Sequence, residues 1–231
     1  MPKYRYDLHI HSALSPCADD DMTPVNIVAT CSALGIDILA VADHNAIKNV
    51  EAAIEVGDAL GITVVPAFEL QTNEDLHLLC LFPDFDRLEA FYKKINFTNL
   101  KNREDVFGRQ LVINSDDEIV EVEECLLLTA AEISESEAYA LAKRYSGICV
   151  PAHVDRDAFG MLSMLGGIPP YYTAVEYSCD GECDPGLSDF LILHDSDAHT
   201  LDSIGKGVHF LDLEEPSAEA LISFLENKSK K

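Results

Sequence analysis

Apolar and polar positions alternate with a period of two across residues 4–11, which predicts a β-strand. A continuous apolar run at 36–42 predicts a second, buried strand. Between them, Thr23 and Pro24 have the residue types of an N-cap and a first helical position, so we expect a helix over 24–34. A second amphipathic helix over 46–60 is followed by Gly61, a typical C-cap. This β-α-β alternation indicates an α/β sheet or barrel.

The same patterns predict further elements along the chain. Further strands are expected at 62–68, 77–82, 148–152, 174–177, 190–194 and 208–213, and further helices at 85–94, 134–145, 157–165 and 216–226. Residues 96–131 interrupt this rhythm. They hold two short apolar runs, 110–113 and 119–122, around the turn sequence 114–117, which predicts a hairpin. We expect one domain over 1–231, with 96–131 as an insertion beside the functional site.

Residues of metal-ligating type follow the strand-like runs. His9 and His11 are two apart on a strand, so their imidazoles leave it on one face. The ends of successive parallel strands lie together at one mouth if the strands form a barrel. Two carboxylates and six imidazoles exceed what one tetrahedral ion takes, so we expect two or three divalent ions, zinc, manganese or iron, with bridging carboxylates. The candidates are His9, His11, His44, Glu69, His77, His153, Asp197 and His199.

Four motifs stand in order along the chain. They read Asp-Leu-His-Ile-His-Ser at 7–12, Val-Ala-Asp-His-Asn at 41–45, Pro-Ala-His-Val-Asp at 151–155 and Ser-Asp-Ala-His at 196–199. By these motifs the chain resembles the polymerase and histidinol phosphatase (PHP) metallohydrolases over nearly its whole length. The resemblance implies a distorted (β/α)7 barrel with a trinuclear metal site. It implies that one ion is held by His9, His11, Glu69 and Asp197, a second by His44 and His199, and a third by Glu69, His77 and His153.

The loop after His11 departs from the family pattern. The second ion usually takes another ligand from this loop, and here Cys17 and Asp19 occupy the corresponding positions. Thiolate favours zinc or iron, whereas carboxylate tolerates manganese. Both residues stay candidates, with Asp19 slightly preferred because an open, hard site suits phosphate.

The expected chemistry is hydrolysis of a phosphoester by a metal-bridging hydroxide at a multinuclear site. Arg156 is the first choice for the cation that holds phosphoryl oxygens, because its planar fork matches phosphate. Lys48, Arg103 and Arg109 are weaker candidates. Asp155 or Asp195 could orient ligand imidazoles. His199 could protonate the leaving group. The residues expected to take part in catalysis are Arg156, Asp197 and His199.

Two other functions stay open. One is a non-catalytic regulatory domain that binds metal or nucleotide, which the nearly complete ligand set disfavours. The other is a metal-dependent amidohydrolase on a similar barrel. That function predicts a carboxylated lysine or a lone catalytic Asp late in the barrel, and no lysine follows a strand at the required place.

Charge and cysteine content narrow the expected partners. The 231-residue chain has 16 basic and 41 acidic residues, a formal net charge of -25. This acidity argues against nucleic-acid and anionic-membrane surfaces. We therefore expect a small phosphorylated substrate, with no long nucleic acid and no membrane. The N-terminus lacks an apolar signal core and the seven cysteines are scattered, which indicates a reduced, cytoplasmic protein. Cys179 and Cys183 have metal-pair spacing, but no second pair follows, so buried or free thiols are favoured.

Overall fold

The computed structural model describes residues 1–178, 184–206 and 209–227. Cys179 and Cys183 lie outside these ranges. The strands are β1 (Lys3–Ile10), β2 (Ile38–Val41), β3 (Thr63–Val64), β4 (Ala67–Gln71), β5 (His77–Leu81), β6 (Leu111–Ile113), β7 (Ile119–Val122), β8 (Ile148–Pro151), β9 (Ala174–Ser178), β10 (Leu191–Asp195) and β11 (Phe210–Asp212). The helices are α1 (Pro24–Ala33), α2 (Val50–Leu60), α3 (Phe85–Tyr92), α4 (Glu104–Phe107), α5 (Glu135–Arg144), α6 (Met161–Leu165) and α7 (Ala218–Glu226).

The fold is mixed α/β, as the alternation predicted, but the described strands do not join into one closed sheet. They pair in the orders β11-β1-β2-β3, β4-β5-β8, β9-β10 and β6-β7. Strands β1, β2 and β3 run parallel, as do β9 and β10. In contrast, β5 is antiparallel to both β4 and β8. This antiparallel sheet breaks the repeated parallel unit from which a (β/α)7 barrel is built.

The predicted strand at 62–68 is divided at Pro66. Its first part, β3, pairs with β2, whereas its second part, β4, pairs with β5. Proline has no N–H to donate to a ladder, so a change of partner at this position loses no hydrogen bond. As a result Glu69 lies in the middle of β4 and does not follow the strand, contrary to the prediction.

His77 begins β5, so the prediction that it follows a strand is wrong. Because β5 is antiparallel to its neighbours, its first residue lies beside the final residues of both. His77 is paired with Gln71 at the end of β4, and its carbonyl accepts a hydrogen bond of 3.0 Å from the Ala152 N–H just after β8. The antiparallel direction therefore brings His77 to the edge where the predicted ligands meet.

Helix α2 is shorter than its amphipathic pattern. It begins at Val50 and not at 46, and the side chain of Asn49, which precedes it, makes tertiary contacts instead of capping the helix. The Asn49 amide donates to the Ser12 hydroxyl (2.9 Å) and the Leu111 carbonyl (3.0 Å) and accepts from the Ile113 N–H (2.9 Å). Helix α6 also spans less than the predicted 157–165. Helices α1 and α5 have the predicted caps at Thr23 and Ser134.

The insertion at 96–131 contains the predicted hairpin, in which β6 and β7 are antiparallel. Asn45, in the loop after β2, donates its side-chain amide to the carbonyls of Leu127 and Thr129, both at 2.8 Å. With the Asn49 contacts, these bonds fasten the insertion to the loop after β2. The insertion therefore lies beside the strand ends that carry the predicted ligands.

Two further expectations concern membranes and thiols. In the part of the chain that the structure describes, no helix combines the length and apolar character needed to cross a bilayer. The described cysteines, Cys17, Cys31, Cys80, Cys125 and Cys149, are free thiols.

The cap of α5 gives a test of the fold that leaves the functional site untouched. The Ser134 hydroxyl caps the Glu137 N–H (3.3 Å), and the Glu137 carboxylate accepts from the Ser134 N–H (3.1 Å). We expect Ser134→Ala to lower the free energy of unfolding by about 1 kcal/mol in urea titrations. The matched control, Ser136→Ala in the same turn, should change it by less than about 0.5 kcal/mol. Equal losses in both variants would contradict the capping role.

Candidate metal centre

One buried carboxylate lies at the centre of the predicted ligands. Glu69 is 1% exposed. Its two oxygens face five imidazoles from four segments of the chain, since His9 and His11 both belong to β1 and its end. Oε1 lies 2.8 Å from His77 Nδ1, 3.1 Å from His153 Nε2 and 3.4 Å from His9 Nε2, and Oε2 lies 2.7 Å from His44 Nδ1 and 3.6 Å from His11 Nε2.

Strand-end contacts bring these segments together. His44 and Glu69 form an isolated parallel bridge, and so do Ile10 and Ala198. The Val154 N–H donates to the Glu176 carbonyl at 2.9 Å, which places the end of β8 beside β9. The predicted convergence therefore occurs without a closed sheet.

His9 and His11 are each held by one ring nitrogen, so that the other faces the cluster. His9 Nδ1 lies 2.7 Å from the Glu176 carboxylate, and His11 Nδ1 lies 3.0 Å from the Ser15 hydroxyl. Their Nε2 atoms are 3.2 Å apart. When each ring is neutral and donates Nδ1–H outward, both Nε2 atoms present lone pairs to the cluster, an arrangement that a shared cation stabilises.

The donor set fits divalent metal ions. Three groups of ligand atoms lie within 4.8 Å of one another: His9 with His11 and Glu69, His11 with His44 and His199, and His44 with Glu69 and His77. The buried Glu69 Oε2 has no partner in hydrogen-bond geometry. Buried imidazole and carboxylate donors at this density suit zinc, iron or manganese.

Asp197 and His199 approach the cluster from the loop after β10. Asp197 Oδ1 lies 3.0 Å from His11 Nε2 and 3.6 Å from His9 Nε2. His199 Nδ1 lies 2.8 Å from the Asp197 carbonyl, and its ring stacks on His11 with centroids 4.3 Å apart. With Nδ1 engaged by that carbonyl, Nε2 is the nitrogen of His199 that can bind a ligand or carry a proton.

Three residues of the site have backbone φ angles in the left-handed region. These are His153 (30°), Asp197 (46°) and Asn45 (47°). Side chains other than glycine rarely adopt such angles, which cost free energy unless the surroundings hold them. At all three positions the turn follows a strand and directs a polar side chain into or beside the cluster.

Burial and the local charges compete in setting the pKa values of this cluster. Burial lowers the pKa of His9, but the carboxylates of Glu176, Glu69 and Asp197 outweigh it and hold that pKa well above the usual range. Burial raises the pKa of Glu69, but His77, His9 and His44 outweigh it and hold that pKa well below the usual range. Glu69 is therefore ionised, with compensating positive charge around it.

Glu176 is a functional-site residue that the sequence analysis missed. It lies in β9 with no exposed surface, and its carboxylate is the partner of His9 Nδ1. The predicted orienting residues have other partners: Asp195 accepts from the Leu8 N–H (2.6 Å) and Asp155 from the Ser178 N–H (2.9 Å). A carboxylate inside an apolar strand was the available signal, because such a group is seldom buried without a partner.

A second orienting group was also missed. The Ser15 hydroxyl donates to the Asp43 carboxylate (2.7 Å), lies 3.0 Å from His11 Nδ1 and accepts from the His44 N–H (3.2 Å). Asp43 also accepts from the Ser12 N–H (2.7 Å) and the Ser12 hydroxyl (2.6 Å). The Asp43 carboxylate therefore fixes the loop that positions both His11 and His44.

The two candidates in that loop have different positions. Cys17 lines a cavity together with His44 and His199. Burial raises the pKa of Cys17, but hydrogen bonds with His199 and His44 outweigh it and hold that pKa at about 7. Both residues are exposed, but Asp19 is not in the lining of that cavity, and its N–H donates to the His199 carbonyl at 2.9 Å. The geometry therefore does not support the preference for Asp19.

Arg156 is the candidate cation that reaches the site. Its Nη1 lies 2.7 Å from Asp197 Oδ2, and its side chain is 46% exposed. Lys48 pairs instead with Glu121 (2.6 Å) and Glu123 (2.7 Å), while Arg103 pairs with Asp105 and Arg109 with Asp20. Those three cations are therefore turned toward other carboxylates.

Two cavities adjoin the cluster, with Arg156 in the lining of both. The larger measures about 500 Å³ and is lined by Cys17, His44, Glu69, Gln71, His77, Leu128, His153, Arg156, Ala158, Phe159, Asp197 and His199. The smaller measures about 260 Å³ and extends from Asp197 toward Glu176 and Lys206. Leu128 belongs to the insertion, which therefore contributes to the mouth of the site.

The sequence as a whole matches one family model, that of the PHP domain, over residues 7–220. The chain belongs to the PHP domain family. A curated relative, a 5'-3' exoribonuclease of Haemophilus influenzae, is 31% identical over 86 residues, which are 36% of this chain and 30% of that protein. The chain therefore matches less than a third of that relative.

Solved structures share the fold at low sequence identity. The lesion-specific endonuclease Q of Pyrococcus furiosus matches with a TM-score of 0.73 and 15% identity over 99% of this chain and 57% of that chain. A protein of Bifidobacterium adolescentis described as a metal-dependent phosphoesterase matches with a TM-score of 0.59 and 16% identity over 95% and 94%. An amidohydrolase of Chromobacterium violaceum matches with a TM-score of 0.57 and 17% identity over 96% and 95%.

The acidity of the chain predicts that long nucleic acid is not a partner. That expectation is wrong, because a protein of the same fold binds long duplex DNA. An endonuclease Q structure that covers 99% of this chain, with a TM-score of 0.70 and 14% identity, holds a 27-mer duplex substrate with an abasic lesion at its active site. A net charge summed over a whole chain does not give the field at a site that holds cations. The charge of -25 is therefore no ground for excluding long nucleic acid.

The Glu176 contact gives the first test of the site. We expect Glu176→Ala to lower metal affinity about 10- to 100-fold, because His9 loses the partner that fixes its ring. Glu176→Gln keeps an acceptor for the His9 N–H, so its loss of metal affinity should be smaller. Metal affinity can be measured by competition with a chromophoric chelator. Equal affinities for Glu176→Ala and the native protein would contradict this positioning role.

Proposed function

We propose that this chain is a metal-dependent hydrolase of phosphoesters. The observation that carries the proposal is the buried Glu69 carboxylate with five imidazoles around it, in which the Nε2 atoms of His9 and His11 are held inward. Membership of the PHP domain family supports the same conclusion.

Two or three divalent ions are proposed, as the family resemblance implies. His9, His11, Glu69 and Asp197 would hold one, His44 and His199 a second, and Glu69, His77 and His153 a third. Bound ions of this kind lower the pKa of water and neutralise charge on phosphoryl oxygens. Glu69 would bridge, since its two oxygens already face both sides of the cluster.

The protein side chains have separate tasks in this proposal. Arg156 binds a phosphoryl oxygen, since its partly exposed guanidinium lines both cavities. Asp197 holds Arg156 toward the mouth through the 2.7 Å ion pair. Nε2 of His199 either binds an ion or delivers a proton to the leaving oxygen, because its other nitrogen is engaged. Loss of an ion in His199→Ala would favour the first role.

Both the cavity of this protein and the activities of similar proteins support the proposed substrate class. A small phosphomonoester or a short nucleotide fits the larger cavity, about 500 Å³. The activities named for the exoribonuclease and for endonuclease Q extend the proposal to RNA ends and to damaged duplex DNA. Amide substrates are a necessary comparison, because one protein of this fold is an amidohydrolase.

Metal analysis followed by a substrate screen tests the proposal. Protein purified without chelator, then reconstituted with zinc, manganese or iron, should contain more than one ion per chain. It should hydrolyse at least one member of a panel of sugar phosphates, nucleotides, dinucleotides, 5'-phosphorylated RNA and abasic duplex DNA. One ion or none, or full metal with turnover of amides alone, would overturn it.

The bridging role of Glu69 is tested by comparing two variants. Glu69→Gln keeps the size of the side chain but removes the charge, so two ions should be lost together. His153→Ala should release mainly one. We expect phosphoesterase activity of Glu69→Gln to fall on the order of a thousandfold, about 4 kcal/mol of transition-state stabilisation. Full metal content with less than about a tenfold loss of rate would exclude the bridge.

Cys17 is proposed as the third protein ligand beside His44 and His199. A thiolate there would favour soft ions over manganese. Cobalt-substituted protein should show a thiolate-to-cobalt charge-transfer band in the near ultraviolet. Cys17→Ser should abolish this band, and the control Asp19→Asn should keep it. A native spectrum without the band, or a band that persists in Cys17→Ser, would exclude Cys17 as a ligand.

A further inference from the structure

One loop brings two chemically different groups to the larger cavity. Arg156 and Phe159 are three residues apart, between β8 and α6, and both belong to its lining. The Ser163 hydroxyl lies within hydrogen-bond distance of three carbonyls of this loop, those of Arg156 (3.0 Å), Asp157 (2.9 Å) and Gly160 (2.9 Å), and its single O–H can donate to any one of them. A Cβ at position 160 would lie 2.2 Å from the Arg156 carbonyl oxygen, so the turn requires glycine.

Phe159 is held in a conformation that a bulky side chain rarely adopts. Its φ is 63°, in the left-handed region. Its carbonyl accepts a hydrogen bond from the His77 N–H at 3.1 Å, and its ring stacks on the His77 imidazole with centroids 4.3 Å apart and planes 14° apart. Strained residues that the surroundings hold in place tend to mark ligand sites.

The ring of Phe159 is not used in core packing. The residue is 38% exposed although one face of its ring is covered by His77. Phe159 therefore has exposed surface that His77 does not cover, and the residue lines the larger cavity. An open aromatic face beside a polar cluster is a surface on which a planar ring can stack.

The neighbouring side chains indicate what kind of ring fits. Leu128 adds a second apolar group to the same lining, and Gln71 adds a carboxamide. Gln71 Nε2 donates to Asp75 at 3.0 Å. Its carboxamide oxygen is available as an acceptor for the edge of a base, a contact that a plain phenyl ring cannot make.

We propose that Phe159 is the stacking surface of a nucleobase subsite, and that Arg156 binds the phosphate of the same ligand. This inference rests on the proposed phosphoester hydrolysis and narrows its substrates to nucleotides and the nucleotide ends of nucleic acids. Phe159 is thus a specificity-determining residue. A sugar phosphate without a base would reach Arg156 and the cluster but leave the ring of Phe159 uncovered.

Matched ligands separate the base from the phosphate. Adenosine 5'-monophosphate and ribose 5-phosphate share the phosphoester and the sugar and differ in the base, whereas phenyl phosphate offers a ring without base edges. Calorimetric binding to protein loaded with a metal ion that does not support hydrolysis measures the subsite independently of turnover, so failure of hydrolysis and failure of the subsite are distinguished. We expect the nucleotide to bind at least about tenfold more tightly than ribose 5-phosphate, within the range of base–aromatic stacking.

Variants of the ring complete the test. Phe159→Leu should remove that preference without changing metal content, and Phe159→Tyr should retain it. The control Phe210→Leu, another exposed phenylalanine but on β11, should behave as the native protein. Equal weakening of both ligands, or loss of metal in Phe159→Leu, would show that Phe159 only shields His77. Phenyl phosphate binding as tightly as the nucleotide, or no native preference, would also overturn the proposal.

Discussion

The ionised, buried carboxylate of Glu69 is the constraint on which the rest of this structure depends. A charge without solvent is costly unless opposite charge and polar contacts compensate it. Here the compensation comes from imidazoles on β1, β5 and the turns after β2 and β8. Strands that share no common sheet are therefore held at one edge by a common polar centre. Divalent ions would supply the same compensation more effectively than protons.

A second layer of contacts fixes the orientation of the imidazoles. Glu176 holds His9, while Ser15, itself bound by Asp43, holds His11. These partners leave Nε2 of both rings directed into the cluster. Without them, the imidazole rings would be free to rotate away from it. Loss of an orienting contact of this kind typically lowers metal affinity about 10- to 100-fold.

The fold brings several segments to the site that contribute different chemistry. The antiparallel strand β5 supplies His77, the insertion supplies Leu128, and the loop before α6 supplies Arg156 and Phe159. Proteins of the same fold include an endonuclease, a protein described as a phosphoesterase and an amidohydrolase. Such variety on one fold is expected, because function resides in the site and not in the fold.

The motifs and periodicity of the sequence identified the helix caps, the hairpin and the residue types of the cluster. Local signals sufficed there, because caps, turns and ligand chemistry depend on neighbouring residues. The sequence also carried the family motifs around His9, His44, His153 and His199. From these the mixed α/β fold and a multi-ligand site were predictable.

Tertiary structure decided the rest. The division of 62–68 at Pro66, the antiparallel direction of β5, and the pairing of Glu176 with His9 all depend on partners far along the chain. So does the position of Cys17, and not Asp19, beside His44 and His199. Residue spacing predicts which face of a helix or strand a side chain lies on and where that helix or strand ends. Hydrogen bonds and charge compensation between distant segments determine which side chains meet.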